Sequence, residues 1–436
     1  MKTVPVLFLA GGVLARAALA QSEEPAPATQ ATPPAPEAAA ETTAVKSAAP
    51  VGASDGGFWI QTADGDYRLH VRGYIQFDGR FYQGDTANLG TSGFVLRRVR
   101  PILQGTLAKY FDFQFTPDFG LGTVVIQDAY IEAHYSSKLR VRIGKYKPQF
   151  GLERLHSATN ILFVERALPT DIAPNRDLGV DLRGELADGI VWYSAGVFNG
   201  VVDGGSADLD TNDGKDLVGR LILAPFKKSK GILQNLSFGI AGTTGNQSGA
   251  LPTYKDTPQL TFFSYATGVV ADGRHERWSP QASYYVGPLS LYGEYARSTQ
   301  AIRKAADPAA TNVSNDAWEI TAAVLLTGEK SAPDPVTPNN VRPRRPFDPK
   351  QGQWGALELV ARVTGLTVDP LVFAGGFADP TKSAQKASSW AIGLNWYLNR
   401  NIKQVVDFDH TSFTGGATSG DRQTDNAILI RTQLSF

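Results

Sequence analysis

The chain has 436 residues, with 42 Lys and Arg against 42 Asp and Glu, 44 Gly, one Met and no Cys. The lack of cysteine excludes disulfide scaffolds, thiol nucleophiles and Cys-ligated zinc or iron–sulfur centres. A zero net charge argues against a nucleic-acid partner, which would draw a basic excess.

Residues 1–20 read as a secretory signal peptide: Lys2 supplies the charge, Val4 to Leu14 an apolar run, and Ala18-Leu19-Ala20 a cleavage site. Residues 21–55 are rich in Ala, Pro, Glu and Thr. They cannot bury enough apolar surface to offset ordering, which predicts a disordered periplasmic spacer before a barrel at 56–436. No run of about 18 apolar residues occurs elsewhere, so no spanning helix is expected. Without signal and spacer, 39 basic and 37 acidic residues remain, and the folded part is still close to neutral.

From Tyr67 the sequence alternates. Arg68, His70, Arg72, Tyr74, Gln76, Asp78 and Arg80 share one face, while Leu69, Val71, Gly73, Ile75 and Phe77 share the other. The run is longer than the ~5–6 residues usual for a soluble strand. The pattern returns with Phe111, Phe113 and Phe115, with Leu139, Val141 and Ile143, and with Leu357, Leu359, Ala361 and Val363. Aromatics gather near strand ends, at Phe58-Trp59, Phe81-Tyr82, Tyr110-Phe111 and Trp396-Tyr397, as interfacial girdles do. Mid-strand Arg and Asp on the polar face suit an aqueous lumen and not a packed core. The fold class predicted is all-β: an antiparallel transmembrane β-barrel with its apolar face towards lipid.

Candidate strands fall at 67–82, 93–107, 111–118, 125–135, 139–146, 178–186, 190–199, 216–224, 234–243, 274–286, 289–299, 314–327, 353–366, 386–398, 402–412 and 426–436. They make a 16-stranded barrel, an even number that brings both chain ends to one side. Short turns such as Ala108-Lys109 and Gly287-Pro288 alternate with long connections at 147–177, 200–215 and 244–273. That asymmetry predicts short periplasmic turns and long extracellular loops. Leu260 to Val270 would break parity as a strand and is assigned to a folded loop. The Pro-rich stretch 328–352 is long for a periplasmic turn.

The segments "GFVLRRVRPILQGTL" (93–107), "QDAYIEAHY" (127–135), "LRVRIGKYKPQFGLERL" (139–155), "PNRDLGVDL" (174–182), "AGVFNG" (195–200) and "YYVGPLSLYGEY" (284–295) occur in this order. As a set they resemble the phosphate-selective porin O and P family over residues 56–436. The resemblance implies a homotrimeric, sixteen-stranded porin of the bacterial outer membrane, embedded in lipid, which passes small anions, phosphate or polyphosphate among them. It implies no cofactor. It matches Arg97, Arg98 and Arg100 to the family's basic wall motif, and Lys145, Lys147 and Arg154 to the start of the constriction loop. Alternation aims Arg98 and Arg100 inward and turns Arg97 outward unless a bulge intervenes. Arg72, Arg140 and Arg142 join the expected anion pathway from their inward positions.

The loop 244–273 departs from the family, holding Lys255 against Asp256 and Asp272 where phosphate-selective relatives carry a run of Arg. Asp181, Glu185, Glu294, Glu358, Asp407 and Asp409 fall on later inner faces, opposite the early arginines, which predicts a transverse field and the alternative of a general diffusion pore with weak selectivity. Wall salt bridges, Arg183 with Glu185 for example, are the competing reading of the arginines. A barrel hydrolase would need a Ser–His pair at the outer rim, and no His has an obvious partner in sequence, so no catalytic residue is expected. Gly52 to Gly56 matches G-x-S-x-G without the strand–helix context of a nucleophile elbow. Asp208, Asp210 and Asp213 lack the remainder of a calcium loop, and no metal site is expected.

Overall fold

Sixteen antiparallel strands close into one barrel in the computed structural model, which describes residues 50–436 apart from 55, 88, 211, 306, 332, 335, 337, 339 and 340. The expected signal and nearly all of the expected spacer lie outside the described residues. The first half of the wall comprises β1 Arg68–Gln83, β2 Gly93–Leu107, β3 Phe111–Asp118, β4 Val125–Ser136, β5 Leu139–Tyr146, β6 Asp177–Leu186, β7 Val191–Phe198 and β8 Asp216–Leu223. The second half comprises β9 Leu236–Gly249, β10 Val269–Val286, β11 Leu289–Lys304, β12 Thr311–Leu325, β13 Ala356–Thr367, β14 Ala384–Tyr397, β15 Ile402–Ala417 and β16 Asp425–Ser435. Pairing of β16 with β1, from Asn426 opposite Gln83 to Ser435 opposite Tyr74, closes the sixteen strands into a barrel. Phe436 completes the seam by exchanging two backbone hydrogen bonds of 2.9 Å with Gly73.

Below that seam a hairpin of Val51–Ser54 and Gly57–Gln61 adds to β1, with Phe58 opposite Val71. The first of its strands falls inside the stretch read as spacer. Gly52 lies under the Trp59 indole, where a Cβ would meet the ring at 2.3 Å, so apolar stacking orders a segment whose composition alone gives no strand signal.

Alternation places Leu69, Ile75, Phe77, Val141, Ile143, Leu359 and Val363 on the outside, exposed. In a membrane barrel these are the lipid contacts. Aromatic rings meet on the outer wall: Phe77 stacks on Phe94, Tyr110 lies tilted against Tyr135, and Phe347 packs edge-on to Trp354 and Trp396. Arg in place of Ile392, outward and mid-strand on β14, should cost about 2–4 kcal/mol of folding into lipid. Denaturant titration in bilayers measures it, and a cost near zero would argue that this face does not meet hydrocarbon.

The interior is not an open tube. Loop 147–176, between β5 and β6, folds into the lumen and carries the short helix α1 Pro169–Ile172. Its Phe150, Leu168 and Ile172 pack with Phe262 and Phe263 of the β9–β10 loop, with Val372 and Phe377 of the β13–β14 loop, and with inward Ala296, Ala317 and Ala387 of the wall. Further along, Phe163 packs on Ala323, Val360 and Ala391, and Val164 on Val405 and Ala427. Small inward side chains on β11–β16 thus make room for the loop. Most of 260–270 is loop as expected, with Thr253–Lys255 paired to Thr261–Ser264 in a small hairpin outside the barrel sheet. Its last two residues, Val269 and Val270, already belong to β10 and pair with Lys304 and Arg303 of β11. The Pro-rich connection between β12 and β13 is no simple turn. Val341 packs with Leu325, Ala356 and Tyr397, and the Pro338 carbonyl accepts a 2.6 Å hydrogen bond from Asn160 of loop 147–176.

Candidate functional site

Because loop 147–176 packs against the later strands, open space remains along the earlier ones. It forms a cavity of about 810 Å³ bounded by β1–β7 and the outer side of the loop. Its lining carries Arg97, Arg98, Arg100, Arg140, Arg142, Lys147, Arg154, Arg166, Arg176 and Arg183 against Asp118, Asp128, Glu132, Glu165, Glu185 and Asp334. Ten cations face six carboxylates, so a locally positive path exists inside a neutral protein.

Arg97 reaches this space through a β-bulge. Gln76 of β1 pairs with Arg98 of β2, but the next residue, Phe77, pairs with Leu96, leaving Arg97 as the extra residue. The outward direction that strict alternation assigns is thereby reversed. Arg97 donates to both oxygens of Glu165, at 2.5 and 3.2 Å. Arg80 donates to Glu165 at 2.8 Å, and Arg98 stands 3.8 Å from the same carboxylate while donating to Gln76 at 2.7 Å. Burial alone would raise the Glu165 carboxyl, but the guanidiniums of Arg97, Arg98 and Arg80 more than reverse this and hold it well below the usual carboxylate range.

Lower on the wall the arginines are held by acids and rings. Arg100 donates to Asp118 at 2.7 Å and to the Tyr74 hydroxyl at 2.8 Å. Arg142 donates to Glu132 at 2.7 Å and lies 3.9 Å over the Tyr130 ring, a cation–π contact. Arg183 pairs with Asp181 at 2.5 Å, not with Glu185 as the wall-bridge reading had it. Arg140 is the looser group: its side chain is 42 % exposed and 3.7 Å from Glu132.

The loop's own cations serve its fold. Lys147 donates to the carbonyls of Arg154 and His156, Arg154 to that of Thr170, and Arg166 to those of Glu153 and His156. Burial, with Arg166 and Arg176 close by, pushes Lys147 well below the usual lysine range.

Of the expected pathway residues, the cavity brings together Arg97, Arg98, Arg100, Arg140, Arg142, Lys147 and Arg154. Two lie elsewhere. Arg72 is directed to Gln104 at 3.4 Å, and Lys145 pairs with Asp208 of the β7–β8 loop. Glu165, Arg166, Arg176 and Arg183 were not singled out from sequence as pathway residues.

The expected acidic wall also falls out differently. Asp181, Glu294, Glu358, Asp407 and Asp409 are buried and do not line the cavity. Glu294 accepts the backbone N–H groups of Leu152 and Glu153, and Asp407 accepts that of Val164. Glu294 and Asp407 thus anchor the loop, while Asp181 pairs with Arg183, Asp409 with Arg362, and Glu358 accepts from Asn395 and Tyr397 of the wall.

His275 has the serine neighbour that the sequence did not reveal, Ser298 on the adjacent strand at 2.9 Å. Asp203 meets the same ring nitrogen, Nε2, at 3.2 Å. A relay needs the carboxylate on the opposite nitrogen, and both His275 and Ser298 are buried away from solvent.

The profile of the family "Phosphate-selective porin O and P" matches residues 69–436. Porin O of Pseudomonas aeruginosa is 24 % identical over 399 residues, which is 80 % of this chain and 84 % of that protein. In fold, the chain resembles the anion-selective porin from Comamonas acidovorans (TM-score 0.54, 11 % identity, 85 % of this chain and 100 % of that one). It also resembles the trimer form of OmpT of Vibrio cholerae (TM-score 0.52, 9 % identity, 85 % and 99 %).

Proposed function

The chain belongs to the phosphate-selective porin O and P family, and from that premise we propose that it conducts small anions passively across the bacterial outer membrane along the basic wall of its lumen. The observation that carries the reading is the collection of ten Lys and Arg side chains around one cavity. A narrow passage removes water from an anion, and guanidinium and ammonium donors replace those hydrogen bonds. Several such positions in series keep each well shallow enough to leave.

The pairing pattern favours weak selectivity over tight phosphate binding. Arg97, Arg100, Arg142, Arg176 and Arg183 each have a carboxylate oxygen within 3.2 Å, so part of their hydrogen-bonding capacity is already used. Conduction and not catalysis is the activity, and we read the chain as one subunit of a homotrimer, which cross-linking in outer-membrane preparations tests.

In planar bilayers under a KCl gradient the reversal potential should report anion preference, and clear cation preference would refute the reading. Replacing the loosely paired Arg140 by Gln should lower the anion-to-cation permeability ratio about twofold, the effect on both ions of one charge acting over ~10 Å through a salt-screened, water-filled lumen.

A further inference from the structure

Three guanidiniums from neighbouring wall strands converge on one side chain of the constriction loop. Glu165 Oε1 accepts from Arg80 at 2.8 Å and from Arg97 at 2.5 Å. Glu165 Oε2 accepts from Arg97 at 3.2 Å and lies 3.8 Å from Arg98. The Glu165 side chain is only 3 % exposed, while Arg97 and Arg98 line the cavity. The surrounding acids are committed elsewhere: Asp78 to Arg431, and Asp118 to Arg100. Three cations therefore share one carboxylate, an excess of positive charge in a place largely shielded from water.

The carboxylate is held there from behind. Val164 N–H donates to Asp407 at 2.7 Å, and Arg362 donates to the Glu165 carbonyl at 2.9 Å. The backbone at this point is thus fixed to β13 and β15, and the side chain crosses to β1 and β2. With the backbone held, the side chain can leave only by rotating about its own bonds, which breaks its contacts with Arg80 and Arg97.

We propose that Glu165 determines the pore's specificity among anions: its carboxylate occupies, as a tethered occupant, a three-arginine site whose chemistry suits a tetrahedral oxyanion such as phosphate. A carboxylate offers two oxygens in one plane, so it satisfies the nearest donors of a converging set and leaves others, including the Arg80 Nε, without a partner. A phosphate presents oxygens in three dimensions and carries more charge, so it fits the same donors better. With Glu165 in place, phosphate must displace a ligand that is present at high effective concentration, and chloride and phosphate pass alike. The inference rests on the anion-channel reading and specifies its selectivity.

The test uses the full-length protein in planar bilayers, with chloride current recorded while inorganic phosphate is raised on one side. Wild type should be blocked weakly. Glu165→Gln keeps the shape and removes the charge, and its half-blocking phosphate concentration should fall on the order of tenfold, the scale of one charge-assisted hydrogen bond. Glu165→Ala should behave in the same way, because the loop backbone is held by Asp407 and Arg362 and not by this side chain. Glu165→Asp keeps the charge and should stay as weakly blocked as wild type.

Equal block of wild type and both neutral variants would overturn the proposal. If neither neutral variant conducts, Arg97→Gln decides: with the site filled by Glu165, its phosphate block should match wild type, and a marked weakening would show phosphate already bound there. The wild-type reversal potential in KCl, taken before phosphate is added, tests the anion-channel reading separately.

Discussion

Replacing Asp78 by Asn should destabilise the barrel by about 3–5 kcal/mol, the cost of leaving one member of a buried ion pair without its partner. Arg431 of β16 donates two hydrogen bonds of 2.7 Å to the two Asp78 oxygens, and neither side chain retains more than a trace of exposure. The pair sits at the closing seam, where Asp78 and Arg431 are direct cross-strand neighbours. Arg98 lies close enough to Arg431 for the two charges to repel, so losing Asp78 leaves like charges facing each other in a dry place. Denaturant unfolding in lipid, read by the gel shift between folded and unfolded barrel, measures the loss. Asp78→Asn combined with Arg431→Gln should recover most of it, since two amides can bond each other and no charge is left unpaired. A loss below about 1 kcal/mol for Asp78→Asn alone would place the seam's stability in the backbone ladder instead.

All sixteen barrel strands were legible in the sequence, and the reason shows in where the boundaries slipped. Alternation records a contrast between lipid on one face and water on the other. Along β1, β5 and β13 that contrast holds for the length of the strand. Beyond it both faces are wet. The outer end of β9 continues through Asn246, Gln247 and Ser248, paired with Arg274, Gly273 and Asp272 of β10. No apolar period marks these residues, so the expected strands 234–243 and 274–286 stopped short by several positions. The ends of β11 and β15 were underestimated for the same reason, at Lys304 and Ala417.

The basic wall was legible because Arg98, Arg100, Arg140 and Arg142 keep the period. Arg97 broke it, and only the cross-strand register reveals the bulge, since a bulge depends on the partner strand. Interpreting the acids required knowing what fills the lumen. A buried glutamate whose partner is a backbone N–H a hundred or more residues away carries no local signature. One signal was present and points there: inward Ala at 296, 317, 323, 387, 391 and 427 on later strands. A water-filled face has no need of alanine. A face against which a loop packs does, because the loop requires both room and apolar contact.

That packing implies an outcome for the two acids that hold loop 147–176. Removing Glu294 and Asp407 together, each replaced by Ala, should raise single-channel chloride conductance severalfold and make the open current noisy. Glu294 accepts from Leu152 at 2.8 Å, from Glu153 at 3.0 Å and from Ser279 at 3.2 Å, and Asp407 accepts from Val164 at 2.7 Å. Each bond to a charged acceptor contributes about 1.5–3 kcal/mol. Phe150, Leu168 and Ile172 remain anchored in the apolar cluster, as do Lys403 on the Ile161 carbonyl and Arg362 on that of Glu165. The loop should therefore gain alternative positions and not leave the lumen, which is why noise is expected along with larger current. Folding should survive, because truncation of each acid to Ala leaves room for a water to take the freed N–H groups and no cation loses its sole partner. Glu294→Gln keeps one acceptor oxygen and should fall between wild type and the double variant. A folded double variant with wild-type conductance and quiet current would mean that apolar packing alone positions the loop, and that the acids of the later strands do not set the width of the pore.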